Sequence, residues 1–240
     1  VVVLLIVAGG VFLATRGEKP SPTPAATVAL VATPTPAMGA DLWVYDDFNN
    51  PANEGSYDKG LWRLEAGSDQ VAQRDGAMVF TQQGKPHQGA MLAAYKYHQV
   101  FLDHPTFFEA RLMLSPDAND GNVQLHLHTE LAPNEIWHAE CNIDHWEGKV
   151  QVGCFDQVIQ QQQVERPYGS EPIPTQLGSW HTLRMEVDPA TMTFSYFIDG
   201  QLVGSHIPSD ADRLKQSRFT LSIGIYTPSA GALTGYVDDV

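Results

Sequence analysis

Residues 180–204, WHTLRMEVDPATMTFSYFIDGQLVG, decide how this chain folds. Leu183, Met185 and Val187 alternate with Thr182, Arg184 and Glu186, and Phe194, Tyr196 and Ile198 alternate with Thr193, Ser195 and Phe197. Successive side chains of a strand point to opposite faces, so each run predicts a half-buried β-strand. Asp199-Gly200 separates the second run from the apolar Gln201-Leu202-Val203. A two-residue hairpin turn needs positive φ at both central positions, which Asp-Gly adopts at little cost. The stretch therefore predicts two antiparallel strands and a tight turn into a third.

Outward from it, short alternating runs recur at 43–48, 62–66, 70–73, 77–81, 90–94, 107–114, 122–128, 135–143, 149–155, 157–162, 220–226 and 235–240. Gly, Pro, Asp and Asn separate them, and no long run has helical period. Only 209–215 suggests a helical turn. Around fifteen short strands predict an all-β, two-sheet antiparallel jelly-roll sandwich. The 200 residues from 41 to 240 suffice for one such core.

The Trp180-His181 opening, the Asp188-Pro189 turn, the aromatic strand and DGQLVG resemble the late strands of concanavalin A-like lectin/glucanase jelly rolls, the laminin-G-like and laminarinase-like sandwiches. Trp43-Val-Tyr-Asp-Asp-Phe48 with Gly60-Leu-Trp62, and the closing Gly235-Tyr-Val-Asp-Asp-Val240, fit the same outline. The resemblance spans residues 42–240. It implies the fold more than an activity, since this sandwich hosts both enzymes and binders.

The chain begins VVVLLIVAGGVFLAT, apolar until Arg16 and Lys19. A spanning helix needs about 20 residues, and the chain does not open on Met. Residues 1–16 are expected to be a transmembrane helix cut short at its N-terminus, with a cytoplasmic portion before it. A signal-peptide core is the alternative. Residues 17–40, PSPTPAATVALVATPTPAMGA from Pro20, are rich in Pro and Thr. Such tracts favour extended backbone over a packed core and read as an extracytoplasmic stalk. The globular domain is then membrane-anchored at the cell surface, as the sensor of a larger protein would be. A net charge of −14, from 28 acidic and 14 basic residues, argues against nucleic acid or anionic lipid as partners.

The two cysteines, Cys141 and Cys154, lie opposite one another if a hairpin turns between Glu147 and Gly148. Their parity matches the apolar Trp137, Ala139, Ile143, Val150 and Val152. They are either a cross-strand disulfide or a buried reduced pair.

Parity also nominates a site. With Val123, Leu125 and Leu127 inward, Gln124, His126 and His128 face the other way. With Trp137, Ala139, Cys141 and Ile143 inward, His138, Glu140 and Asn142 join them, as do Gln151 and Phe155 from the next strand. Adjacent strands would gather a polar belt suited to the hydroxyls of a carbohydrate, with Trp146 at a hairpin tip, Tyr168 or Tyr226 to stack on a sugar ring. A solvated sheet face is the competing explanation.

Laminarinase-like enzymes carry Glu-x-Asp-x-x-Glu on one strand, and the nearest match is Glu135-Ile-Trp-His-Ala-Glu140, with Trp137 at the Asp position. Retaining glycosidases need two carboxyl groups about 5–5.5 Å apart, and parity puts Glu135 and Glu140 on opposite faces unless a bulge intervenes. The expectation is thus carbohydrate binding without catalysis. A glycoside hydrolase acting through Glu140 and Glu135 is the alternative, and a structural or protein-contact domain a second one. His126, His128, His138 and Glu140 could also hold Zn²⁺ or Fe²⁺. The resemblance further implies a structural Ca²⁺ where the first and last strands meet, at Asp47 and Asp239.

Overall fold

Alternating strands satisfy their backbone only by pairing with one another. The computed structural model describes residues 45–67, 70–83, 86–94, 100–160 and 163–240. The expected membrane helix, the stalk and the Trp43 end of the first run lie outside the described residues. No helix among the described residues is long and apolar enough to cross a membrane.

In chain order the strands are β1 (Trp62–Ala66), β2 (Val71–Arg74), β3 (Ala77–Gln82), β4 (Gln88–Ala94) and β5 (Thr106–Leu114). Three long strands follow, β6 (Gly121–Ala132), β7 (Glu135–Trp146) and β8 (Lys149–Gln160), then β9 (Gln163–Gly169) and β10 (Ile173–Pro174). The chain closes with β11 (His181–Asp188), β12 (Thr193–Ile198), β13 (Gln201–His206), β14 (Thr220–Thr227) and β15 (Leu233–Asp238), and the short helix α1 (Ala211–Leu214) precedes β14. Among the described residues these strands form two antiparallel sheets. One runs β1-β4-β14-β6-β7-β8-β10 with β9 also on β8, the other β13-β12-β11-β5-β15-β3-β2.

The hairpin of residues 180–204 forms in the expected register, Leu183 opposite Ile198, Met185 opposite Tyr196 and Val187 opposite Phe194. All six are buried. Asp199 and Gly200 turn with φ of 50° and 77°, and Glu147-Gly148 turns the β7–β8 hairpin with 51° and 74°, the doubly positive geometry of a two-residue turn. The inner faces meet in one core. Trp137 from β7 packs 4.9 Å from Phe194 on β12 and 6.0 Å from Phe219. Cys141 and Cys154 are register partners on β7 and β8 and are joined by a disulfide.

Three expectations are corrected. Tyr45–Phe48 is not a strand; Tyr45 instead pairs with Val240, its N–H donating to Val240 C=O at 2.7 Å. The run at 149–155 and the described part of the next, 157–160, are one continuous strand through Asp156. Residues 163–169 and 173–174, which belong to none of the expected runs, pair with β8 as β9 and β10. The β9 sequence QVERPYG is polar and contains Pro167, which suits an edge position where a missing N–H costs no ladder bond.

Candidate carbohydrate-binding cleft

The polar belt assembles because β6, β7 and β8 are adjacent and in register. Across β6 and β7, Gln124 stands opposite Asn142, His126 opposite Glu140 and His128 opposite His138. On β8, Phe155 continues the Glu140 row and Gln157 the His138 row. This face lines a cleft of about 910 Å³. It is not a freely solvated face: Gln124, His126, His138, Glu140 and Asn142 are only 6–9% exposed, at the cleft floor. Residues of β9 and the following segment, Val164, Arg166, Ser170 and Pro172, stand along one side.

The electrostatics follow from that burial. Desolvation holds the His126 imidazole well below its usual range, and the neighbouring His138 and His128 add to it. Burial likewise lowers His128 and takes His138 down to about 3. All three rings are therefore neutral at pH 7, each with one N–H donor and one acceptor nitrogen. The His126 ring centroid lies 4.3 Å from that of His138 and 4.9 Å from that of His128. Both ring nitrogens of His126, Nδ1 of His128 and Nε2 of His138 are buried without a hydrogen-bond partner. Buried polar atoms are normally paired, so this floor has unspent hydrogen-bonding capacity.

Glu140 accepts a hydrogen bond from Asn142 Nδ2 at 2.8 Å, and burial pushes its carboxyl up to about 7. Arg166 extends over the Phe155 ring at 3.9 Å and donates to Gln157 Oε1 at 3.5 Å. Asn122, Asp144, Gln157, Arg166 and Ile136 also line the cleft and were not singled out in the sequence. Asn122, Asp144 and Gln157 share the parity of Gln124, Glu140 and Gln151; Asp144 lies one residue beyond the expected run 135–143, while Asn122 and Gln157 each open an expected run. Arg166 comes from a strand that has no alternating pattern.

The other expected residues divide between the cleft and its surroundings. Gln151 lines the cleft. Trp146 is 46% exposed at its hairpin tip, outside the lining residues. Tyr168 stacks between Tyr196 and His206, 5.3 Å and 5.2 Å away, and does not face the cleft. Tyr226 does line it, with its hydroxyl 3.2 Å from His87 Nδ1.

The enzyme-like pair does not come together. β7 and β8 pair without a register shift from Glu135 to Trp146, so no bulge there turns Glu135 toward Glu140. Arg213 grips Glu135 with both arms, Nη1 to Oε1 and Nη2 to Oε2, each at 2.7 Å. Trp137, at the position of the motif's Asp, is fully buried in the sandwich core.

Among the described residues no group of three or more His, Cys, Asp or Glu is placed to hold a metal ion. At the expected calcium position, Asp47 Oδ1 accepts from Asn49 N–H, and Arg111 Nη1 lies 3.1 Å from Asp238 Oδ2 and 3.4 Å from Asp239 Oδ2. The Arg111 guanidinium answers part of this charge; burial and the neighbouring Asp239 and Asp47 still hold the Asp238 carboxyl above its usual range.

No family model matches the chain, and no curated protein does. Solved structures match at the level of fold. The laminarinase from Flavobacterium sp. UMI-01 superposes with a TM-score of 0.56 at 13% identity, over 82% of this chain and 96% of that one. SCLam, a non-specific endo-β-1,3(4)-glucanase from family GH16, gives 0.57 at 12% identity, over 82% and 89%. The carbohydrate recognition domain of Emp46p, in its potassium-bound form, gives 0.52 at 9% identity, over 75% and 88%. Two antiparallel sheets of this order give the chain the same jelly-roll sandwich fold as these solved structures.

Proposed function

We propose that this domain binds a neutral carbohydrate in the β6–β8 cleft and does not cleave it. The observation that carries the reading is the row of neutral imidazoles at the cleft floor, in which both ring nitrogens of His126, Nδ1 of His128 and Nε2 of His138 lack a partner. Each offers a donor and an acceptor, as does each sugar hydroxyl, so a polyol satisfies groups that are otherwise orphaned. Glu140, Asn142, Gln124 and Gln157 extend the same bonding surface. Asp144 and Glu65 against Arg166 leave no excess of positive charge for an anionic ligand. Glu135 turned away and Trp137 in the core support binding over hydrolysis. We further read the domain as displayed outside the cell on the Pro/Thr-rich stalk of residues 17–40, anchored by residues 1–16.

A glycan array together with release of reducing ends from β-glucans tests the proposal. Binding without turnover is expected, and His126→Leu should abolish it. A second reading, hydrolysis with Glu140 as the acid, is favoured by its carboxyl near 7, since a general acid works best with a pKa close to the working pH. Turnover that disappears in Glu140→Gln would overturn the binding-only view.

A further inference from the structure

The cleft does not end in polar groups on both sides. Ile136 on β7 is the register partner of Ile159 on β8, which in turn partners Val164 on β9. All three line the cleft, and Ile136 is 38% and Val164 57% exposed. Strands lie about 4.8 Å apart, so this apolar shelf is about 10 Å wide. Val164 is the one aliphatic residue in β9, QVERPYG, on a strand that otherwise exposes polar groups. Ile136 is two residues from His138 along β7, about 7 Å, so shelf and imidazole row are neighbouring parts of one surface.

We propose that the ligand is a glycoconjugate: its sugar sits on the imidazole row and an apolar aglycone, alkyl, acyl or aryl in nature, lies on Ile136, Ile159 and Val164. This rests on the carbohydrate reading above and adds the chemistry at the sugar's end. A sugar alone would leave the shelf wet. Aliphatic side chains make no hydrogen bonds to hydroxyls, and β-branched residues lack the flat face on which a pyranose stacks. An apolar substituent continuous with the sugar covers them and gains the burial. Continuity of the shelf with the polar floor, within one cleft, argues for a single ligand with both parts.

The test compares methyl and n-hexyl β-glycosides of the same disaccharides, β-1,3-glucose, β-1,4-glucose and N-acetyllactosamine, by calorimetry and by methyl NMR. The hexyl member should bind about tenfold tighter, equivalent to about 1.4 kcal/mol, and shift the methyl signals of Ile136, Ile159 and Val164. In Ile136→Ser/Val164→Ser, two substitutions at exposed positions, that advantage should fall below about threefold. Equal binding of the two glycosides, or an advantage that survives the double variant, overturns the aglycone site alone. If no glycoside of either series binds, the carbohydrate reading falls as well. If the wild type is a dimer that the double variant turns into a monomer, with no hexyl advantage, a second copy covers the shelf and the proposal is wrong.

Discussion

The indole of Trp137 lies 4.9 Å, centroid to centroid, from the ring of Phe194, joining the two sheets at the centre of the core. A side chain that replaces the middle Asp of the glucanase motif is thus a structural pin. Truncating a buried aromatic typically costs about 3–5 kcal/mol. Trp137→Ala should lose that much in urea unfolding, and Trp137→Asp should fail to fold, because a carboxylate there has no partner. A folded, hydrolytic Trp137→Asp protein would contradict this account.

His126 presents the opposite balance. Its two buried ring nitrogens have no partner, and an unsatisfied buried polar group costs about 1–3 kcal/mol. His126→Leu should raise stability by about 1 kcal/mol and abolish glycan binding. Denaturation midpoints and array binding measured on the same preparation check both halves.

Glu140 links the cleft to pH. Burial raises its carboxyl from 4.5 to about 7, so between those values the folded protein holds a proton that the unfolded chain has released. Stability from this group falls as pH rises from 4.5 through 7 and then levels off. Glu140→Gln should remove that slope, leaving stability unchanged at pH 4 and raised at pH 8 by on the order of 2 kcal/mol. Melting curves across that range give the comparison.

Asp156 behaves alike on the other side of β8. It is fully buried among Tyr168, Tyr196 and His206, and its Oδ2 lies 3.5 Å from His206 Nε2. Burial raises its carboxyl to about 6, with His206 acting against it. The ionised form is thus the costly one, and it prevails above pH 6. Asp156→Asn should raise the melting temperature at pH 8 and leave it unchanged at pH 3.5; a fall at pH 8 would mean that the contact with His206 outweighs the desolvation.

The disulfide closes a short loop across the β7–β8 hairpin, with a sequence separation of 13. Loop-closure entropy for such a length is worth about 3 kcal/mol. Reduction, or Cys141→Ala/Cys154→Ala, should lower stability by about that amount. Cys141 lies between Glu140 and Asn142, so glycan affinity should weaken too; unchanged urea midpoints with and without reductant would contradict this.

Much of the site was legible because side-chain alternation is strictly local. Leu125 and Leu127 inward oblige His126 outward, and the Glu147-Gly148 turn obliges Cys141 to meet Cys154. Asp144 follows the same rule and lies just past the expected run 135–143, because β7 continues to Trp146. Arg166 and Val164 were not legible: β9 has no apolar face of its own and is a strand because β8 has an edge to offer it. Trp146 was misplaced for a related reason, since parity gives the face but not whether a hairpin tip lies over the cleft.

The sequence by itself determined the alternating strands, their faces, the turn at Asp199-Gly200 and the core that residues 180–204 help to build, because these depend on neighbours a few positions apart, whereas β9 and β10 depend on the edge of β8. The tertiary structure alone decided that the polar face lies in a cleft, that β14 comes from nearly a hundred residues away to flank β6, and that Glu135 and Glu140 stay apart. Those outcomes depend on long-range pairing, on sheet curvature and on an unbroken β7–β8 register, none of which residue alternation encodes.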